Sequence, residues 1–306
     1  MKNILVIGAG LSASSMLRYF CQNAQKEGWF IKVGDQNGDL AKSKVHGCQQ
    51  AEGFQLNGLN AAERQPLIEW ADLVISMLPA AHHVEVAKDC IRFKTNLITP
   101  SYISDAMKDL HQECVDAGIL IMNEMGVDPG IDHMSAKKIL DEVEALGGKM
   151  HIFESFTGGL IAPQSDNNPW NYKFTWNPRN VVVAGQGGAA KFIQEGKYKY
   201  IPYHKLFRRT EFLLVEDYGK FEAYANRDSL KYRSVYGLDD ILTLYRGTIR
   251  RVGYSRAWNM FVQLGMTDDT YVMENSENMS YRDFINAFLP YHPTDSVEIK
   301  TRLQLG

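Results

Sequence analysis

Short apolar runs alternate with amphipathic segments through the first part of the chain. The runs are rich in branched side chains, as expected for strands buried on both faces of a parallel sheet. They cover residues 3–7, 30–33, 71–77, 96–99 and 119–122. Apolar residues at helical spacing lie between them, most clearly at 82–93 and 104–117. This alternation predicts an α/β fold with a Rossmann-type, doubly wound parallel sheet.

The pattern changes at Met150. Apolar and polar residues alternate at 150–157, segments 212–215 and 220–224 also have the character of strands, and helical spacing is limited to a short piece at 189–194. We therefore predict a second, α+β domain, for substrate binding and dimerisation, around a mixed or antiparallel sheet with one covered face. The predicted division is a dinucleotide-binding domain at 1–126, the α+β domain at 127–255 and a helical segment at 256–306.

A glycine-rich turn joins the first predicted strand to the first predicted helix. The turn, Gly8-Ala9-Gly10-Leu11-Ser12-Ala13, matches the dinucleotide-binding pattern. In that pattern Gly8 permits the tight turn, Gly10 lets the backbone approach a pyrophosphate, and Ala13 keeps the helix close to the sheet. Asp35 ends the second strand, where an acid holds the ribose hydroxyls and repels a 2′-phosphate. We predict NAD in preference to NADP, and a glycine turn without a nucleotide is the alternative.

The chain is organised around the stretch Asn123-Glu124-Met125-Gly126-Val127-Asp128-Pro129-Gly130-Ile131-Asp132-His133. It separates the last apolar run from a helical pattern at 134–146. We expect Asp128 to be the N-cap of that helix, with Pro129 at the first helical position and Gly130 open to close approach. Because a helix N-terminus carries unpaired N–H groups and partial positive charge, an anionic substrate is expected here. A well-capped junction without a ligand is the alternative.

Loops after successive strands meet at the carboxyl edge of a parallel sheet, where ligands bind. The predicted loops at 76–79 and 99–102 and the stretch around Asp128 therefore converge. His82 and His83 begin a helix just after the first of these loops, and we interpret them as polar residues of a first turn.

The second domain contains two polar clusters, Asn226-Arg227-Asp228-Ser229 and Arg246-Gly247-Thr248-Ile249-Arg250-Arg251. Isolated arginines usually lie on a solvated face, but an arginine beside glycine in a loop suits a bidentate clamp for a carboxylate. A polar segment at 163–169 precedes aromatic residues at 170–176, which indicates either a loop that closes over a site or a surface turn followed by a packed strand.

Composition excludes several classes of protein. A net charge of -3 gives no general attraction for nucleic acid or an anionic membrane. The apolar run at the N-terminus stops at Gly8, which is too short for a signal peptide or a membrane span. Because the 4 cysteines are scattered and none has a histidine at metal-ligand spacing, we expect reduced thiols, no metal site and a cytoplasmic protein.

These motifs, in this order, resemble the saccharopine dehydrogenase family, and most closely its glutamate-forming branch, often called saccharopine reductase. The 123–133 stretch is the most specific of them. The others are Gly8-Ala9-Gly10, Leu78-Pro79 followed by His83, Ser101-Tyr102, Gly158-Gly159-Leu160, Asn168-Pro169, Tyr172-Lys173-Phe174, Asn226-Arg227-Asp228-Ser229 and Arg246-Gly247-Thr248.

The resemblance implies an oxidoreductase of lysine metabolism that acts on saccharopine, a secondary amine joining lysine and glutamate. Hydride transfer to a nicotinamide leaves an imine, which water hydrolyses to glutamate and α-aminoadipate semialdehyde; the reverse direction is equally implied. Tyr102 and Asp128 match active-site residues. We expect Asp128 to orient and stabilise charge, since a carboxylate of ordinary pKa is a poor base near neutrality.

The remaining candidate residues follow from the same match. Candidates for the amino-acid substrate are Ser101, Gly130, Asn226, Arg227 and Arg246, of which Arg227 matches a carboxylate-binding arginine. Candidates for the cofactor are Gly8, Gly10, Leu11, Ser12, Ala13, Asp35, Leu78 and Pro79. We expect a homodimer.

Three features depart from the family pattern. Thr157 stands where family members often carry a cysteine, Asp35 is acidic although this branch commonly uses NADP, and the chain ends at Gly306 whereas family chains usually continue much further. We interpret 256–306 as the truncated start of a helical domain. A related lysine 6-dehydrogenase or carboxynorspermidine dehydrogenase, and a non-catalytic nucleotide-binding protein, are the alternatives.

Overall fold

The apolar runs of the first half form a parallel sheet of 6 strands, as predicted. These are β1 (Lys2–Ile7), β2 (Trp29–Asp35), β3 (Ala51–Gln55), β4 (Leu73–Ser76), β5 (Asn96–Ile98) and β6 (Ile121–Met122). Their order in the sheet is β3-β2-β1-β4-β5-β6, so the direction of winding reverses between β1 and β4. Open parallel sheets bind ligands at this switch point, outside the carboxyl ends of the strands.

The computed structural model describes residues 1–185 and 188–306. The chain divides into two units, Met1–Ser135 and Ala136–Gly306, and the first lies wholly within the described residues. The domain bounds drawn from the sequence stay a prediction.

Both faces of the first sheet are covered. Leu5 and Ile7 pack into the core on one face, and Ile4 and Val6 pack into the core on the other. Side chains of a strand alternate between faces, so a run of consecutive apolar residues is what burial on both faces requires.

Six helices of the first unit connect its strands. They are α1 (Ser14–Glu27), α2 (Gly38–Lys44), α3 (Ala61–Trp70), α4 (His83–Phe93), α5 (Asp105–Lys108) and α6 (His111–Ala117). The single helix predicted at 104–117 is wrong, because the chain breaks after Lys108. Met107 and Leu110 both reach the core on either side of this break.

The described residues of the second unit contain a mixed sheet, which confirms the predicted α+β character. Its strands are β7 (Ile152–Thr157), β8 (Ala190–Gln194), β9 (Lys197–Ile201), β10 (Glu211–Val215), β11 (Gly219–Ala225) and β12 (Thr243–Arg251). The order is β10-β11-β12-β8-β9, and β7 pairs with β12 in parallel.

The predicted helical piece at 189–194 is instead strand β8. It forms a hairpin with β9 through Glu195 and Gly196, which both have positive φ angles, of 50° and 73°. Turns of this kind match the twist of paired strands. The hairpin therefore decides the conformation of a short segment whose own pattern is ambiguous.

The helices from the boundary onwards are mostly short. They are α7 (Ile131–Ala145), α8 (Pro178–Val182), α9 (Tyr203–Leu206), α10 (Tyr232–Val235), α11 (Tyr254–Leu264), α12 (Tyr281–Ala287) and α13 (Val297–Leu305). Residues 170–176 form no strand in the described structure. Trp170 stacks on Phe261 with ring centroids 5.0 Å apart, and Tyr172 packs against Tyr254 at 5.0 Å. The alternative of a packed strand at 170–176 is therefore wrong, and these residues are held by aromatic contacts instead.

Candidate functional site

The glycine turn leaves an open cradle at the carboxyl end of β1. Gly8 has a φ of 107°, and a Cβ there would lie 3.1 Å from the carbonyl oxygen of Met77. A Cβ at Gly10 would meet nothing within 4 Å. Leu11 and Ser12 are exposed in the short 3-10 turn that follows, whereas Ala13 is buried against the sheet. These residues fit a dinucleotide, because the backbone can approach a pyrophosphate at Gly10 and α1 begins directly behind it.

Asp35 connects the two segments that border this cradle. Its Oδ2 accepts a hydrogen bond from the backbone N–H of Ala9 at 2.7 Å, and its Oδ1 accepts one from Asn37 at 2.8 Å. Both carboxylate oxygens are therefore oriented by backbone donors. The predicted contact with a ribose stays a prediction.

Other residues beside the cradle come from strand ends and from α2. Leu78 packs against the core, and Pro79 begins the 3-10 turn at Ala80–His82. Lys44, the last residue of α2, donates a hydrogen bond from Nζ to Ser14 Oγ at 2.6 Å. This places a positive charge at the start of α1. Sequence reasoning missed Lys44, since a lysine in the last turn of a helix is common and carries no signal of its own.

His83 is the first residue of α4, as predicted for a polar residue of a first turn, but its side chain is the centre of a buried polar cluster. Its Nδ1 lies 2.9 Å from Ser76 Oγ, and its Nε2 lies 2.8 Å from Ser101 Oγ and 2.9 Å from Thr99 Oγ1. These hydroxyls lie at the carboxyl ends of β4 and β5. Ser76 and Thr99 are 0% exposed and His83 is 2% exposed, so buried polar groups satisfy one another here.

Next to this centre, Tyr102 and Asp128 form a pair. The Tyr102 hydroxyl donates to Asp128 Oδ1 at 2.7 Å, and both side chains are exposed to a ligand. The structure thus brings together the two residues that the resemblance assigns to the active site. A hydroxyl on a carboxylate can position substrate and exchange a proton.

Backbone contacts hold the two loops that carry this pair. The N–H of Met125 donates to the carbonyl of Thr99 at 3.1 Å, and the N–H of Glu124 donates to the carbonyl of Ser101 at 3.0 Å. The N–H of Ile103 in turn donates to Glu124 Oε1 at 3.0 Å. Glu124 itself has a φ of 60°, which is uncommon for a residue other than glycine. The local contacts compensate for that conformation.

The prediction that Asp128 caps the following helix is wrong. Helix α7 begins at Ile131, and the Asp128-Pro129 peptide before it is cis. The N–H groups of Ile131 and Asp132 donate to the carbonyls of Gly126 and Val127 at 3.0 and 3.1 Å. Two of the first N–H groups of the helix are therefore occupied, so the expectation of an open anion site at this terminus does not hold.

Gly130 is needed for the close approach that the sequence predicted. Its φ is 149°, and a Cβ there would lie 2.1 Å from the carbonyl oxygen of Gly126. The approaching group is the backbone of Gly126 itself. Asp132 Oδ1 also accepts from the N–H of Gly130, at 2.8 Å. The stretch from 123 to 133 is thus a tight turn closed by its own backbone and side chains.

The second unit carries the remaining substrate candidates. Arg246 lies inside strand β12 rather than in the predicted loop, is 3% exposed, and places its guanidinium 4.1 Å from the centre of the Tyr232 ring. Asn226 Oδ1 accepts from the Thr248 hydroxyl at 2.7 Å. Arg227 is exposed. The two polar clusters are adjacent because β11 and β12 pair with Ala225 opposite Gly247. Of their arginines, Arg227 is exposed, Arg251 is half-buried, and Arg246 and Arg250 are buried.

Neither a membrane helix nor a metal cluster is found in the ranges that the structure describes. No helix there is long and apolar enough to cross a membrane, and no group of three or more His, Cys, Asp or Glu side chains there could hold a metal ion. The 4 cysteines are free thiols.

Comparison with known proteins agrees with this geometry. A family model described as the saccharopine dehydrogenase NADP binding domain matches residues 4–122, and one described as the saccharopine dehydrogenase C-terminal domain matches residues 126–302. The NADP(+), L-glutamate-forming saccharopine dehydrogenase of Pyricularia oryzae is 35% identical over 320 residues, covering 100% of this chain and 70% of that protein.

Two further relatives illustrate the range of lengths. The mitochondrial alpha-aminoadipic semialdehyde synthase of Mus musculus is 37% identical over 274 residues, which are 87% of this chain but 28% of that protein. The structure of apo histidine-tagged saccharopine dehydrogenase (L-Glu forming) from Saccharomyces cerevisiae has a TM-score of 0.86 at 30% identity, covering 100% of this chain and 68% of that one. This chain therefore spans less than a third of the mouse relative and about two thirds of the fungal ones.

The sheet order and the glycine turn define a Rossmann-type protein that binds a nicotinamide dinucleotide and carries a second, mixed-sheet domain. The chain belongs to the saccharopine dehydrogenase family, which confirms the resemblance seen in its motifs.

We predict that His83 makes the stability of the fold depend on pH. Burial, and to a smaller extent the neighbouring His82, lower the pKa of His83 from 6.5 to about 4. The unfolded chain therefore binds an extra proton between these values, and the free energy of unfolding falls as pH drops below 6.5. One pKa unit corresponds to 1.36 kcal/mol, so the loss between pH 7 and pH 5 is about 2 kcal/mol.

Urea unfolding at pH 7, 6 and 5 measures this effect. The variant His83→Asn is less stable at pH 7, but it should lose less stability on acidification than the wild type. His82→Asn is the control, and because it removes only the smaller of the two causes it should retain most of the wild-type slope. Equal slopes for His83→Asn and the wild type would show that His83 ionises in the fold as freely as in the unfolded chain.

Proposed function

We propose that the chain is the dinucleotide- and substrate-binding portion of an oxidoreductase of lysine metabolism that acts on the C–N bond of saccharopine. The observation that carries this proposal is the Tyr102–Asp128 pair, at the carboxyl edge of a dinucleotide-binding sheet. The substrate is inferred from relatives whose names are saccharopine dehydrogenase, L-glutamate-forming.

The chemistry assigns a role to each member of the pair. A bound nicotinamide dinucleotide supplies the hydride acceptor or donor. When the carbon bonded to the amine nitrogen loses hydride, positive charge develops on the nitrogen. The Asp128 carboxylate, oriented by the Tyr102 hydroxyl, stabilises that charge. Tyr102 is 44% exposed and can also exchange a proton with water or with the amine. Hydrolysis of the imine then yields glutamate and α-aminoadipate semialdehyde.

Carboxylate recognition is the second requirement, because saccharopine has three carboxylates. Arg227 is exposed, and a guanidinium can bind a carboxylate through two parallel hydrogen bonds. Arg246 is buried against Tyr232, so we assign it to support of β12 more than to direct contact. Ser101, Gly130 and Asn226 stay predicted substrate residues.

For the cofactor we propose NADP. The names of the fungal relatives and of the matching family model carry NADP. The negative charge of Asp35 favours NAD, but both of its oxygens already accept backbone hydrogen bonds, and Lys44 adds a positive charge at the start of α1. A homodimer and a cytoplasmic location stay predictions.

The reaction itself is tested by nicotinamide absorbance with saccharopine, and Asp128→Asn is the first variant. Because the amide keeps a hydrogen-bond acceptor for Tyr102 but loses the charge, we expect kcat to fall about 100- to 1000-fold. Cofactor affinity, measured by fluorescence titration, should not change. Asp109→Asn, an exposed aspartate in the same unit, should leave both quantities unaltered.

Other outcomes of this assay separate the alternatives. Turnover of lysine instead of saccharopine would replace the proposed substrate. Cofactor binding without turnover of any amino acid would favour a non-catalytic nucleotide-binding protein. Unchanged kcat in Asp128→Asn would remove the electrostatic role.

Cofactor choice is measured in the same assay with NAD and NADP supplied separately. We expect a higher kcat/KM with NADP, and Lys44→Met should lower the NADP to NAD ratio about tenfold, as loss of one charge-assisted hydrogen bond would. The control is Lys42→Met, which removes an exposed lysine of the same helix that pairs with Asp39. A preference for NAD that Lys44→Met does not change would restore the role first given to Asp35.

Arg227→Ala tests carboxylate recognition. A bidentate ion pair with substrate contributes about 1.5 to 3 kcal/mol, so the KM for saccharopine should rise about 10- to 100-fold while kcat changes less. Arg227→Lys should show a smaller rise. Arg256→Ala, also an exposed arginine of the second unit, is the control, and an equal effect at both positions would contradict a specific contact.

A further inference from the structure

The buried histidine of the first unit is connected to the proposed reacting pair through one residue. His83 Nε2 lies 2.8 Å from Ser101 Oγ, and Ser101 is the residue before Tyr102. The backbone carbonyl of Ser101 accepts from Glu124, four residues before Asp128. The imidazole thus contacts the loop that carries Tyr102 directly, and the backbone of Ser101 links it to the loop that carries Asp128.

The two ring nitrogens of His83 have different surroundings. Nδ1 faces Ser76, the last residue of β4, which is the strand before α4. Nε2 faces Thr99 and Ser101 in the loop after β5. Thr99 Oγ1 additionally accepts from the N–H of Ser101 at 3.3 Å. The Nε2 side therefore holds the loop that carries Tyr102, and the Nδ1 side anchors the ring to the sheet.

We propose that His83 is a positioning residue: its Nε2 holds Ser101 and thereby fixes the backbone from which the Tyr102 hydroxyl reaches Asp128. A neutral imidazole suits this task, because each of the three hydroxyls can donate or accept a hydrogen bond and a neutral buried ring needs no counter-ion. The low pKa caused by burial keeps the ring neutral at physiological pH.

Two amide variants separate positioning from simple packing. Asn at position 83 keeps a polar group near the place of Nδ1, and Gln keeps one near the place of Nε2. Asn is one methylene group shorter than Gln, so urea unfolding of both variants records the difference in packing beside kcat. If the Nε2 contact with Ser101 matters, His83→Asn should lose kcat about 10- to 100-fold, as a displacement of about 1 Å does, while His83→Gln retains most of it. The KM for the dinucleotide should change less than kcat in both.

A double-variant cycle tests the route through Ser101. Ser101→Ala should lower kcat about as much as His83→Asn, and the combination should lower it no further, because both remove the same contact. His82→Asn is the control, since its ring makes none of these three bonds. Equal losses of kcat in His83→Asn and His83→Gln would overturn the proposal and leave His83 with a packing role. So would a loss of kcat in the double variant that equals the product of the two single losses.

The kinetic test of this inference rests on the proposed function. A crystal structure of each variant supplies a second readout that does not depend on the substrate. The Tyr102 hydroxyl lies 2.7 Å from Asp128 Oδ1 in the wild type. That hydrogen bond should break in His83→Asn and persist in His83→Gln. An intact bond in both variants would contradict the proposal whatever the substrate is. Absence of wild-type turnover with saccharopine, by contrast, would remove only the proposed function.

Discussion

The strands of the first sheet bury apolar side chains on both faces, so the buried polar side chains of the candidate site lie at the carboxyl ends of the strands. In this chain Ser76 ends β4, Thr99 directly follows β5, and both are fully buried. A buried hydroxyl without a partner costs about 1 to 3 kcal/mol, and His83 removes that cost for both. The same ring lies within hydrogen-bond distance of Ser101, so the side chain that satisfies these strand ends also contacts the loop that carries Tyr102.

In the turn from 123 to 133, as at the strand ends, polar groups are hydrogen-bonded to neighbouring groups of the chain. Its backbone folds so tightly that Gly130 excludes any side chain, and the N–H groups at the start of α7 bond to carbonyls of the same turn. The N–H groups of Ile131 and Asp132 are thus bonded within the turn and are not open to a ligand.

Asp35 shows why one side chain does not settle cofactor choice. An acid at the end of the second strand repels a 2′-phosphate when its charge faces the ligand. Here the carboxylate accepts from Ala9 and Asn37, and a lysine stands at the start of α1. The balance of these charges depends on neighbours that are distant in sequence, which a motif alone does not describe.

The sequence by itself determined the class of fold, the glycine turn, the α+β character of the second unit and the resemblance to the family. These features depend on local periodicity and on short motifs, which act over a few residues. Tertiary structure decided where the pattern was short or ambiguous, since pairing with a neighbouring strand made residues 190–194 the strand β8. It also decided that Asp128 pairs with Tyr102 instead of capping α7, and that His83 is buried. The sequence predicted that these loops meet at the carboxyl edge of the sheet, but individual hydrogen bonds and burial depend on how the side chains pack in space.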